Sequence, residues 1–121
     1  MDRRVRRILG LLEQQWRSSP PVRELAHWVG LGTSRLEHLF KEHAKVTIRE
    51  FVLQRRLDAA AQMLSATEER VSTISYRVGF NDVSNFNHAF KRHFGVSPRA
   101  YRERTGDGVD TFHQEKPGPT K

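Results

Sequence analysis

The sequence predicts an all-α fold of two helix-turn-helix subdomains joined by a long central helix, about seven helices in all. Three observations carry that expectation. Apolar residues recur at three- and four-residue spacing through segments punctuated by Gly and Pro, no segment keeps the strict alternation of a strand, and one helix-turn-helix unit occurs twice.

The first segment, Arg3 to Trp16, sets Val5, Ile8, Leu9, Leu12 and Trp16 on one helical stripe, with Arg3, Arg4, Arg6 and Arg7 around its start. Ser18-Ser19-Pro20-Pro21 ends it, because proline lacks the amide hydrogen the helical ladder needs. A short helix fits Val22 to Val29, turning Val22, Leu25, Ala26 and Val29 inward; Gly30-Leu31-Gly32 interrupts it, and a new helix runs from about Thr33 to Ala44. The longest helix spans about Thr47 to Leu64 on a stripe of Leu53, Leu57, Ala60 and Leu64, without Gly or Pro. After the polar stretch Ser65 to Arg70, Val71 to Val78 reads as a short helix, Gly79-Phe80-Asn81 as a turn, and about Asp82 to Phe94 as a helix that Gly95 stops. Ser97 then caps a last helix that Pro98 opens. These elements divide the chain into a first subdomain at 1–46, a linker helix at 47–66 and a second subdomain at 67–104. The tail at 105–121, rich in Gly and Pro and poor in apolar residues, is expected to be disordered. Trp16 and Trp28 fall on or beside apolar stripes and are expected in the core.

The repeat is detailed. Val22-x-x-Leu25-Ala26-x-x-Val29-Gly30-Leu31 matches Val71-x-x-Ile74-Ser75-x-x-Val78-Gly79-Phe80, shifted by 49 positions. Beyond the turn, Leu36-x-x-Leu39-Phe40-Lys41 matches Phe86-x-x-Ala89-Phe90-Lys91, now shifted by 50, because the second turn holds one more residue. The match continues through Val46-Thr47 against Val96-Ser97 and Phe51 against Tyr101. In each copy the second helix has two faces at about 100° per residue. Leu36, Leu39 and Phe40 lie inside, with Ser34, Glu37, His38 and Lys41 outside; Phe86, Ala89 and Phe90 lie inside, with Ser84, Asn87, His88 and Lys91 outside. Arg35 and Asn85 sit at the edges of the outer faces.

Those outer faces carry the groups that read nucleic acid. Asn and His hydrogen-bond to base edges, Glu accepts from the cytosine amino group, and Lys or Arg takes guanine or phosphate. The candidate base contacts are Ser34, Arg35, Glu37, His38, Ser84, Asn85, Asn87 and His88; the candidate phosphate contacts are Lys41, Lys91, Arg92 and Arg99. From Val83 through Arg102 there is no acidic residue. The whole chain carries 21 Lys and Arg against 14 Asp and Glu, a net charge of +7 that favours a polyanionic partner.

Other classes fare poorly. The absence of Cys removes disulfides, thiolate nucleophiles and Cys-ligated zinc. The pairs His38/His43 and His88/His93 are five apart, about 140° around a helix, so neither shares a face as an i, i+4 metal pair does. No phosphate-cradling Gly-rich loop, nucleophile motif or tuned carboxylate pair is present, so no enzyme, metal or cofactor is expected. The Phe residues fall at core positions, against a single-strand or RNA binder. No apolar run reaches a membrane span or the core of a secretory leader, so a reducing, cytoplasmic setting is expected. The alternative that keeps the fold is a protein-interaction module, an anti-activator, whose signature would be apolar residues at the outer positions; those positions are polar.

These residues resemble the DNA-binding domain of the AraC/XylS family of transcription regulators, from about Val5 to Arg104. The most specific stretch is Val78-Gly79-Phe80-Asn81-Asp82-x-Ser84-x-Phe86-x-x-Ala89-Phe90-Lys91-x-x-Phe94-Gly95-Val96-Ser97-Pro98-x-x-Tyr101-Arg102, and Arg56-Leu57-x-x-Ala60-x-x-Leu64 looks like the family's linker helix. The resemblance implies two recognition helices entering successive major-groove segments of double-stranded DNA, about one turn apart. It implies a single chain doing what simpler helix-turn-helix proteins do as dimers, and RNA polymerase as a further partner. By position, the family's base contacts correspond to Ser34, Glu37 and His38, and to Ser84, Asn85, Asn87 and His88. The first copy departs from the pattern: Gly32 stands where a Ser cap is usual, Lys45 where Gly ends the helix, and Ile48 where Pro is common. Many members carry an effector-binding domain ahead of this one, whereas here the chain begins almost at the first helix; a stand-alone regulator and a piece of a longer one are both open.

Overall fold

The computed structural model describes residues 1–106, and the remainder of the expected tail, 107–121, lies outside the described residues. The described residues form seven α-helices and no strand: α1 (Arg3–Gln15), α2 (Val22–Trp28), α3 (Thr33–Ala44), α4 (Ile48–Ala66), α5 (Val71–Arg77), α6 (Val83–Phe94) and α7 (Pro98–Gly106). A short 3-10 turn, Trp16–Ser18, follows α1. The helices divide into two compact units, Met1–Arg55 and Arg56 onward, and α4 runs from one into the other.

The first unit packs α1, α2, α3 and the start of α4 around Val5, Ile8, Leu12, Leu25, Leu36, Phe40, Phe51 and Val52, all buried. Asp2 starts α1 by accepting from the Arg4 amide at 2.7 Å. Across 42 residues of sequence, Glu13 takes a two-pronged hydrogen bond from the Arg55 guanidinium, which also lies 4.4 Å from the Phe51 ring centroid.

In the second unit, α4 supplies Leu57, Ala60, Ala61 and Leu64 to a core with Ile74, Val78, Phe86, Phe90, Phe94 and Tyr101. Aromatic contacts bind it: Phe80 to Phe86 at 5.2 Å, Phe86 to Phe90 at 5.7 Å, Phe90 to Phe94 at 4.5 Å, and Phe90 edge-on to Tyr101 at 5.5 Å. Such tilted and edge-on pairs add to the hydrophobic gain of burial. Ser75, fully buried where the first copy has Ala26, satisfies its hydroxyl by donating to the Ser72 carbonyl at 2.8 Å.

The two helix-turn-helix turns open with the same backbone hydrogen bond. Gly30 and Gly79 adopt φ of 74° and 109°, and the next amides, Leu31 and Phe80, donate back to Ala26 and Ser75 at 2.9 and 3.0 Å. That is the glycine-dependent way to stop a helix and turn at once.

Several expectations need correction. Trp28 is not core: it is 45% exposed, beneath the Arg7 guanidinium at 4.4 Å from its centroid. The inward face of the seven-residue α2 is taken by Leu25 and Ala26, and Trp28 lies roughly 110° around the helix from its middle. Trp16 is half-buried rather than enclosed, with Arg17 stacked on it at 4.4 Å. Leu53 is only half-buried, because α4 serves two cores and its apolar register changes from Ile48, Phe51 and Val52 to Leu57, Ala60 and Leu64. The last helix continues beyond Arg104 through Thr105 and Gly106, two residues assigned to the tail; the Thr105 hydroxyl donates to the Tyr101 carbonyl at 3.1 Å.

Candidate nucleic-acid interface

Among the described residues, the outer faces of α3 and α6 have no side chain of their own unit packed over them. Ser34, Arg35, Glu37, His38 and Lys41 are all exposed on α3, as are Ser84, Asn85, Asn87, His88, Lys91 and Arg92 on α6. Leu36, Phe40, Phe86 and Phe90, on the opposite faces, are fully buried. The twelve-residue helices thus hold polar side chains on a rigid base, the arrangement a recognition helix needs.

Each helix borders a groove that the next helix completes. In the first unit Glu37, His38, Lys41 and Glu42 face Thr47 and Arg49 at the start of α4. In the second, Asn87, His88, Lys91 and Arg92 face Ser97, Pro98 and Arg99 at the start of α7, with Val71 and Val83 as apolar wall. The candidates Ser34, Arg35, Ser84 and Asn85 lie in the first turns of their helices, exposed but not among the groove-lining residues.

Local chemistry fixes the groove walls. Lys45 takes the left-handed conformation, φ 69°, and its amide donates to Lys41 at 2.9 Å; Gly95 does the same at φ 83°, donating to Lys91 at 2.7 Å. The helix α3 therefore ends at Ala44 although no glycine is there to ease it. Two residues on, Thr47 and Glu50 form a reciprocal capping box, each side chain accepting the other's amide at 3.0 Å. In the second unit Ser97 accepts from the Ala100 amide at 3.1 Å, but position 100 cannot return the bond. Gly32 starts α3 without a side-chain cap, whereas Asp82 starts α6 by accepting from the Asn85 amide at 3.1 Å. His88 is held by its Nδ1 at 3.1 Å from the Ser84 carbonyl. A carbonyl only accepts, so Nδ1 is the donor in that bond, and Nε2 is the ring nitrogen left for a partner.

Reading the sequence missed Thr47 and Arg49, although the repeat pointed to them, since Arg49 stands 50 positions before the candidate Arg99. It also missed Glu42, the counterpart of Arg92. Arg102, at the end of the stretch without acidic residues, has a structural task. It donates from Nε to the Leu64 carbonyl and from Nη2 to the Thr67 carbonyl, both at 3.1 Å, and so satisfies backbone acceptors at the end of α4. No helix among the described residues is long and apolar enough to cross a membrane.

Comparison with known proteins agrees with this fold. The profile of a family described as a helix-turn-helix domain, of AraC type, matches residues 25–104. The raffinose operon transcriptional regulatory protein RafR of Pediococcus pentosaceus is 35% identical over 95 residues, covering 78% of this chain but 34% of that protein. The chain spans about a third of the length of the curated relatives it matches. Among solved structures, the C-terminal domain of AraT, a response regulator from Geobacillus stearothermophilus, superposes with a TM-score of 0.78 at 26% identity, covering 85% of this chain and 86% of that one. The DNA-binding domain of the global transcriptional factor AdpA, solved in complex with a target DNA, shares the fold with a TM-score of 0.78 at 17% identity, covering 94% of this chain and 99% of that one.

Proposed function

This chain belongs to the AraC-type helix-turn-helix family, and from that premise we propose that it binds double-stranded DNA sequence-specifically as a bacterial transcription regulator. The observation that carries the reading is the duplicated site: two helices, each with a buried apolar face, an exposed hydrogen-bonding face and a groove, charge-balanced in the first unit and basic in the second, that the next helix completes. Ser34, Arg35, Glu37 and His38 read bases in one half-site and Ser84, Asn85, Asn87 and His88 in the other. Lys41, Lys91, Arg92 and Arg99 hold phosphates, which fix register without reading sequence. The helices take successive major-groove segments, so that a single chain occupies a duplex of roughly 20 bp. The setting is cytoplasmic, RNA polymerase is the second partner, and the chain needs no catalytic group, metal or cofactor for this work.

The test is selection from a random duplex library, followed by salt titration on the selected site. Expected is a bipartite motif bound one chain per site by sedimentation, with a log–log salt slope reflecting on the order of 5–8 phosphates at about 0.9 each. Absence of any enriched motif, together with salt-insensitive capture of a protein, would place the chain among interaction modules instead. Two chains on every palindrome would refute the single-chain arrangement.

A further inference from the structure

The two grooves are built from equivalent positions but carry different charge. His38, Lys41, Thr47 and Arg49 line the first groove where His88, Lys91, Ser97 and Arg99 line the second, each shifted by 50 positions. Two exchanges separate them: Glu37 stands where Asn87 does, and Glu42 where Arg92 does. The two acidic groups of the first groove cancel Lys41 and Arg49, whereas Lys91, Arg92 and Arg99 in the second meet no acidic group in that groove among the described residues. All seven of these charged side chains are exposed, and none forms an ion pair with another among the described residues.

Resting on the DNA-binding reading above, we propose that the second groove is the chain's phosphate anchor and that Glu42 keeps the first groove from becoming another. A phosphate beside Lys91, Arg92 and Arg99 releases condensed counterions whatever the sequence, and so supplies affinity without selectivity. In the first groove the carboxylate of Glu42, one helical residue from Lys41, opposes the same phosphate. Engagement of that unit then depends on base contacts made by Glu37, His38 and their neighbours. Disfavouring the wrong partner by an unfavourable charge is an established route to specificity. The residue so assigned, Glu42, need touch no base.

The experiment measures binding of the full chain to a random-sequence duplex and to its selected site across a salt series. The variants are Glu42→Arg, Glu42→Gln, Arg49→Gln and Arg99→Gln, all exposed positions, with helicity checked by circular dichroism. Expected is that Glu42→Arg tightens random-duplex binding about tenfold near 0.1 M salt, steepens the slope by about one contact and narrows the ratio of selected to random affinity. Glu42→Gln should move the same quantities in the same direction by less. Arg99→Gln should flatten the slope by about one, and Arg49→Gln by less than half of that. Equal flattening by Arg49→Gln and Arg99→Gln, or no change on Glu42→Arg, overturns the assignment while leaving DNA binding intact. Failure of the unaltered chain to bind any duplex overturns both readings at once.

Discussion

Lys45 occupies a backbone conformation that its repeat counterpart assigns to glycine, and the energetic difference between the two sites can be measured. At φ 69° a side-chain-bearing residue is strained by its Cβ, at a cost of about 1–2 kcal/mol. Glycine at the same place removes that strain but loses about 0.5–1 kcal/mol more conformational entropy on folding. Lys45→Gly also removes a cation favourably placed beyond the α3 C-terminus, so the clean comparison is with Lys45→Ala, which loses the charge and keeps the strain. Lys45→Gly should therefore be more stable than Lys45→Ala by up to about 1.5 kcal/mol, with the middle of the two ranges giving about 0.8 kcal/mol. Gly95→Ala should show the mirror image, because a Cβ added there meets nothing within 4 Å and the whole penalty is conformational. Urea denaturation followed by circular dichroism measures these differences, which correspond to a few degrees in melting temperature for a domain of this size. If Lys45→Gly is clearly less stable than Lys45→Ala, position 45 does not hold the left-handed conformation that ends α3 at Ala44. The capping box at Thr47 and Glu50 would then no longer explain how Arg49 reaches the groove.

Four further outcomes are expected. Asn87→Ala should relax base preference in one half-site of the selected motif, by about 1–3 kcal/mol of discrimination, and leave the other unchanged; Glu37→Ala should do the reverse, and repeated library selection reads both. Phe90→Ala, which empties a fully buried site touching Phe86, Phe94 and Tyr101, should cost about 3–5 kcal/mol of stability in a denaturant melt without altering the motif of the molecules that remain folded. Arg102→Ala should destabilise the second unit by about 1–3 kcal/mol through loss of two charge-assisted bonds to the end of α4, and Arg102→Lys should recover only part, since one ammonium cannot reproduce the forked geometry. Asp2 is held at a pKa of about 2, first by the hydrogen bond from the Arg4 side chain and then by the Arg4 amide. Because the folded value lies below the ordinary 3.8, its contribution is present above that range and disappears as pH falls toward 2. Melting temperatures of the unaltered chain and of Asp2→Asn should accordingly converge on acidification over that interval, and parallel curves would remove Asp2 from the acid response.

The sequence by itself determined what is local and what is repeated. Helical periodicity, the repeat and the cap residues Ser97 and Pro98 marked the seven helices of the described residues, because amphipathic spacing and capping chemistry are local whatever the helix packs against. The duplicated Gly turns announced the helix-turn-helix units. The inward Leu36, Phe40, Phe86 and Phe90 in turn placed all eight candidate base contacts on exposed faces. Periodicity says which side of a helix is apolar, but not which neighbour arrives or from how far along the chain. Glu13 meets Arg55 across 42 residues, and Arg102 reaches the carbonyls of Leu64 and Thr67 across 38 and 35, so neither arginine's partner could be read locally. Trp28 stayed outside because two smaller residues already filled the face of a short helix, a matter of available volume. The grooves were decided in the same way. Each needs a recognition helix and the first turn of the following helix to meet at a corner set by a left-handed residue, and only that meeting brings Glu42 and Arg49, or Arg92 and Arg99, into one electrostatic environment.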